Sequence, residues 1–156
     1  MTTAHVISDS SPLIGLERIG RLDLLAALFG TVVVPPAVAR EITAKGRLVD
    51  WMIEQSLNAP LDRRLSEPTI DPGEREAIGL ALQTHTARLL LDEEAARRLA
   101  RGFGLPVTGT LGVLVPAKRS GILEAVGPLV DALIAVDFRI DARLREWVLS
   151  TTGEND

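Results

Sequence analysis

The chain contains no cysteine and no tyrosine. Without thiols there is no disulfide, no thiolate zinc site and no cysteine nucleophile, which fits a reducing compartment. Histidine is nearly as scarce: His5 opens an apolar run and His85 sits near the end of a helical pattern. A His-based triad or a His-rich zinc site is therefore poorly supported. The aromatic residues are Phe29, Trp51, Phe103, Phe138 and Trp147, too few for the stacking sheet of a recognition-motif or cold-shock RNA binder. No uncharged apolar run is long enough to span a membrane, and no basic segment leads into an apolar core at the N-terminus. These absences predict a cytoplasmic protein with no membrane segment and no signal peptide.

What is present describes an ordered globular chain. It has 156 residues, 46% apolar and 24% charged, which predicts one domain over residues 1–150 and a frayed tail over 151–156. The net charge of −4 gives no global attraction to nucleic acid. Positive charge is nearly all arginine, 15 against 2 lysines, and it is clustered at Arg63 and Arg64, at Arg97, Arg98 and Arg101, and at Lys118 and Arg119. Arginine suits phosphate, although such clusters on helices are ordinarily solvated faces.

The apolar pattern alternates between short strand-like runs and helical periodicity. Residues 5–9 read as a strand, and residues 12–28 as one bent helix or two short ones, broken near Gly20. TVVVP at 31–35 is a second strand; Pro36 then starts a helix to about Ala44, with Gly46 as its stop. Residues 48–57 are predicted helical and 57–70 a loop. Asp71 and Pro72 open a helix to about Thr84, followed by a strand over 87–92, a helix over 93–102 and a short strand over 105–109. A helix containing Pro116 comes next, then helices over 124–135 and 141–149, with 138–140 as a candidate edge strand. This alternation predicts an α/β fold with a central parallel sheet of about four or five strands, covered on both faces. In such sheets, sites form beyond the carboxyl ends of the strands.

Two acids, Asp9 and Asp92, end predicted strands at that edge. In VISDSSPLIGL, residues 6–16, Ser11 suits a helix N-cap and Pro12 a first turn. Glu41 borders the inward stripe of Val38 and Ile42; its plain reading is a pair with Lys45 at i+4. Asp71-Pro72-Gly73-Glu74 has capping-box spacing. Glu74 also shares a stripe with Ala77, Ile78 and Ala81, whereas Glu76 points away from its centre. Asp92 reads equally as a helix cap, and the following Glu93 and Glu94 match Arg97 and Arg98 at i+4. Each acid thus has an ordinary structural explanation. Gathered together, four carboxylates would repel and raise each other's pKa, a cost that a divalent ion removes. Oxygen ligands alone select Mg²⁺ or Mn²⁺, ions that keep waters, contact phosphate oxygens and activate a water for in-line attack.

Taken in order, VISDSSPLIGL, VPPAVAREI, GEREAIGLAL and ARLLLDEEAARRLARGFGLPVTGTLGVL resemble a PIN domain over about residues 5–149. More narrowly, the chain is similar to the PIN branch resembling VapC-type toxins, in which a GTLGVL-like segment follows the fourth strand. The resemblance implies a three-layer α/β/α fold, metal-dependent cleavage of RNA, a homodimer and an antitoxin partner. It implies Asp9 as the first metal ligand with Ser11 as its hydroxyl neighbour, Glu41 as the helical acid, Glu74 or Glu76 as the third acid, and Asp92 as the fourth. Many relatives carry Asp at the third place. Thr110 stands where some relatives have an acid or amide, and either orients a water or caps the next helix.

Two other readings compete. In one, a non-catalytic PIN-fold or RNA-interaction protein uses the acids as caps and salt bridges. In the other, the chain is a metal-dependent phosphatase, but position 11 is Ser where a DxD nucleophile pattern needs Asp. Val126, Leu129, Val130, Leu133 and Trp147 in the C-terminal helices read mainly as packing against the sheet.

Overall fold

Val6–Ser8 and Val32–Val34 bury every side chain. Runs hidden on both faces belong inside a parallel sheet. The computed structural model describes residues 5–44, 48–86 and 88–154. Its sheet joins β1 (Val6–Ser8), β2 (Val32–Val34), β3 (Met52–Glu54), β4 (Arg88–Leu90) and β5 (Val107–Thr108). The spatial order is β3-β2-β1-β4-β5, with every pair parallel. Among the described residues the helices are α1 (Ser10–Arg18), α2 (Asp23–Phe29), α3 (Pro36–Thr43), α4 (Pro72–Thr84), α5 (Glu94–Gly102), α6 (Thr110–Arg119), α7 (Gly127–Ala135) and α8 (Ala142–Thr151).

Alternation along the strands divides the core. Val6, Val32, Val34 and Leu90 pack with residues of α1, α2 and α6 to α8 on one face. Ile7, Val33, Leu89 and Leu91 pack with residues of α4 and α5 on the other. The result is a three-layer α/β/α fold. α3 adds Val38 and Ala39 to the first core and lies against both α1 and α4.

The sheet grows in two directions from β1, so chain order reverses between β1 and β4. That reversal opens a crevice at the carboxyl ends of the two strands. Asp9 N–H donates to Leu90 O at 3.0 Å, so the chain leaves β1 beside the end of β4.

Several local expectations give way to the tertiary structure. The helix predicted over 48–57 is replaced by β3, with Val32, Val33 and Val34 opposite Met52, Ile53 and Glu54. Pairing satisfies the backbone groups along the edge of β2, and that outweighs local helical preference. Phe138–Ile140 form no strand: Asp137 is left-handed at φ 65°, and Phe138 N–H folds back to Leu133 O at 2.9 Å. Ser11 is not the cap of α1. The ladder bond from Asp9 ends the strand at that residue, so Asp9 takes the cap position and Ser10 opens the helix. Gly20, at φ 72°, separates α1 from α2. Gly46, the expected stop of α3, and Lys45, the expected partner of Glu41, lie outside the described residues.

Of the tail expected to fray over 151–156, residues 151–154 are described, and they are held through Glu154. Its carboxylate accepts from Val126 N–H at 2.7 Å, Gly127 N–H at 2.8 Å and Lys118 Nζ at 2.6 Å. Lys118 is thereby taken out of any phosphate-facing cluster. Among the described residues no helix is long and apolar enough to cross a membrane.

Candidate active site

Asp9 stands at the cap position of α1, yet its side chain makes no capping hydrogen bond. It is buried, and its Oδ1 has no hydrogen-bond partner. A buried acceptor left unpaired is costly, so it marks a place where something is missing or charge is handled. Burial pushes the Asp9 carboxyl up to about 8; the Ser10 backbone N–H opposes this, and Asp71, Glu74 and Glu41 add to it by repulsion.

Those three acids arrive from separate elements. Glu41 lies on the exposed side of α3, and its Oε2 accepts a 2.6 Å hydrogen bond from Ser10 Oγ. The hydroxyl that steadies this acid therefore belongs to Ser10. Ser11, one residue further on, faces the neighbouring cleft. Asp71 and Glu74 form the capping box of α4: Glu74 N–H donates to Asp71 Oδ1 at 2.7 Å, and Asp71 N–H donates to Glu74 Oε1 at 3.0 Å. The box occupies one oxygen of Glu74 and leaves Oε2 buried without a partner. Burial, then repulsion from Asp71, Glu93 and Glu41, raises the Glu74 carboxyl above its ordinary range. Capping and site roles thus coexist in one side chain.

Gly73 permits this convergence. A Cβ at that position would lie 2.8 Å from Glu41 Oε1, 3.1 Å from Asp9 Oδ1 and 3.4 Å from Asp71 Oδ1. Three carboxylates therefore crowd around the space a side chain would fill. Glu76 lies elsewhere: its Oε1 accepts the Ala37 N–H at 2.9 Å at the start of α3, and its Oε2 is 3.9 Å from Arg40.

Asp92 follows β4 and caps a helix, but not its own. Its Oδ1 accepts Thr110 N–H and its Oδ2 accepts Thr110 Oγ1, both at 2.8 Å, across to the start of α6. Thr110 is the first residue of that helix rather than its cap, and its hydroxyl serves Asp92. Burial raises the Asp92 carboxyl, against the Thr110 bonds and Arg97 and with repulsion from Glu93. Glu93 forms no ion pair with Arg97 among the described residues, whereas Glu94 pairs with Arg98 at 3.9 Å. Glu93 instead repels both Glu74 and Asp92.

The structure therefore brings Asp9, Glu41 and Glu74 together with Asp71, while Asp92, two residues past the Leu90 that accepts the Asp9 N–H, is engaged by Thr110 and Arg97. Asp71, Ser10 and Glu93 are the residues sequence reasoning missed as site members. Asp71 and Glu93 were legible only as a cap and as a surface partner. Among the described residues no three acids are closed around one point as a finished metal cage. What the side chains offer is different: two buried, unpartnered carboxylate oxygens, on Asp9 and Glu74, with Glu41 beside them. That donor set fits a hard divalent cation anchored by one or two carboxylates and otherwise kept in its water shell.

Two clefts adjoin this edge. One of about 920 Å³ runs from Asp92 and Glu93 along Ser11 and Arg18 of α1 to the α7–α8 connection. A second, of about 290 Å³, lies between β5, the start of α6 and α8.

The class this defines is a parallel α/β/α domain with unpaired acids at the switch point of its sheet. The chain belongs to the PIN domain family, whose model matches residues 5–154. No curated protein matches the chain. PIN domains are commonly nucleases and typically use divalent metals.

Proposed function

We propose that this PIN domain is a Mg²⁺- or Mn²⁺-dependent endoribonuclease and the toxin of a toxin–antitoxin pair. One observation carries the reading: the unpaired Oδ1 of buried Asp9 lies among Glu41, Asp71 and Glu74 at the carboxyl edge of the sheet. A divalent ion anchored by Asp9 and Glu74, with Glu41 reaching it through water, would offset their repulsion, polarise a phosphate oxygen and activate water for attack on phosphorus. Ser10 holds Glu41 in position, and the capping box holds Glu74. Burial favours the neutral form of Asp9, and a cation at the site would draw off that proton. Asp92, fixed by Thr110, borders the path of the RNA, where the Arg97 guanidinium supplies positive charge.

The deciding experiment is cleavage of structured RNAs by wild type and Asp9→Asn, purified identically, with Mn²⁺ or with chelator. The proposal expects cutting only by wild type and only with metal. Equal cutting by both proteins would expose a contaminating nuclease and remove Asp9 from the site.

The resemblance to VapC-type toxins supports a cytoplasmic homodimer restrained by an antitoxin protein. Light scattering reads the dimer. Co-expression with the product of a neighbouring small reading frame reads the antitoxin. The second reading, a non-catalytic RNA-binding PIN domain, is favoured by the engagement of both Asp92 oxygens by Thr110. Its signature is RNA binding without cleavage, unchanged in Asp9→Asn.

A further inference from the structure

Trp147 stands apart from the other large apolar side chains of α8. Val148 is fully buried, whereas Trp147 is 52% exposed. It lines the 290 Å³ cleft together with Phe138, Arg97, Arg139 and Asp92. That cleft shares Asp92, Arg97, Phe138 and Arg139 with the 920 Å³ cleft, so these residues stand where the two meet beside the acidic edge.

The two arginines are available for a ligand. Arg97 Nε is buried without an acceptor. Asp92, whose charge attracts Arg97, already gives both oxygens to Thr110. None of the ion pairs among the described residues involves Arg97 or Arg139. Arg88, also in the cleft, is committed to Thr108 Oγ1 at 2.7 Å and is left out of the proposal.

An exposed indole next to free guanidinium groups has the chemistry of a single-stranded nucleotide site. Every base has a face that stacks on an aromatic ring, while arginine takes the phosphate. Phe138 is braced for such a role. Its ring packs where a Cβ on Gly15 would be, at 2.8 Å, which fixes the wall between the two clefts. Val107, Leu111 and Leu144 also line the cleft, and what favours a nucleotide over an apolar protein contact is the guanidinium groups of Arg97 and Arg139 set beside the indole.

We propose that this small cleft is a nucleotide subsite, with a base stacked on Trp147 and its phosphate held by Arg97 and Arg139. It rests on the ribonuclease reading, because it seats a nucleotide next to the one that would be cut. It also explains how a chain of net charge −4 would hold RNA: by a local pair of arginines and one aromatic face rather than by a global field.

The test is a fluorescence titration of the whole chain with a short oligouridylate in chelator, where nothing is cut, followed by anisotropy with the labelled oligonucleotide. Wild type is expected to show saturable quenching. Trp147→Leu is expected to lose that quenching and bind about tenfold more weakly, and Trp147→Phe to regain most of the affinity. Arg139→Ala, at an exposed position, is expected to weaken binding and to lower the salt slope by about one. Quenching that persists in Trp147→Leu would assign the signal to Trp51 and overturn the subsite. So would cleavage and binding that proceed unchanged in Trp147→Leu, with the nuclease reading left standing. A Trp147→Leu variant altered only in self-association by sedimentation would assign the residue to a protein contact and also overturn the proposal. Quenching lost in Trp147→Leu, in a protein that cuts no RNA under any metal, would support the subsite and sink the nuclease.

Discussion

Gly73 and Glu41 are in a relationship only glycine allows: a Cβ on Gly73 would lie 2.8 Å from Glu41 Oε1. The contact is with the end of a flexible side chain, so the fold has room to adapt while the acid is displaced. Gly73 lies in the first turn of α4, where alanine is the better helix former by up to about 1 kcal/mol. Gly73→Ala should therefore leave stability unchanged or slightly higher in urea unfolding, while RNA cleavage drops about tenfold or more. A variant that cuts as well as wild type would show that the position of Glu41 does not matter to the chemistry.

Asp9 should behave as an acid whose ionisation the fold opposes. Burial pushes its carboxyl up to about 8 in the native chain, from the 3.8 of an ordinary aspartate. Between those values the native state binds more protons than the unfolded state, so this group makes stability fall as pH rises. Asp9→Asn removes the penalty. In chelator the variant should be more stable than wild type above pH 3.8, by several kcal/mol near pH 8, with the gap closing at low pH. Unfolding curves across this range give the answer; a gap independent of pH would contradict it.

Glu74 and Glu76 should separate by kind of defect. Glu76→Ala leaves the Ala37 N–H at the start of α3 without its acceptor and should cost about 1 kcal/mol of stability, with RNA cleavage largely kept. Glu74→Gln retains the side-chain shape and an amide oxygen for the capping box, but removes the charge near Asp9. It should lose cleavage with little loss of stability. Thermal melts and cleavage rates on both variants decide which glutamate is the third acid.

Glu154 should govern part of the acid limb of stability. Burial pushes its carboxyl up, but Lys118 and the Gly127 and Val126 N–H groups outweigh that and hold it down at about 2, below the 4.5 of an ordinary glutamate. A depressed native pKa contributes stability above the unfolded value, and the contribution is lost as pH falls toward the native one. Glu154→Gln should cost about 1 kcal/mol at neutral pH, and less and less as pH drops from 4.5 to about 2. Equal destabilisation at both ends of that range would mean that the contribution is packing rather than charge.

Much of the fold was legible because its signals are local. The β-branched run at Val32–Val34, the Pro36 and Pro72 helix starts and the capping box at Asp71 and Glu74 each declare their element through backbone chemistry at that position. β3 was not legible, because Met52–Glu54 becomes a strand through the free edge of β2, many residues earlier. Phe138–Ile140 looked like a strand and is instead a chain reversal fixed by Asp137 in the left-handed region and by the fit of Phe138 to Gly15.

By itself, the sequence determined the layer architecture, the two acids that end strands and the oxygen-only chemistry of the edge. Periodicity, β-branching and residue type are properties of the chain at each position, and they act before any distant contact forms. Only the tertiary structure decided which acids meet. Asp71 joins Asp9 because α4 begins against α3, Ser10 rather than Ser11 reaches Glu41, and Asp92 turns to Thr110 because β5 delivers the start of α6 beside β4. These are distances set by how the layers pack, and no spacing along the chain encodes them.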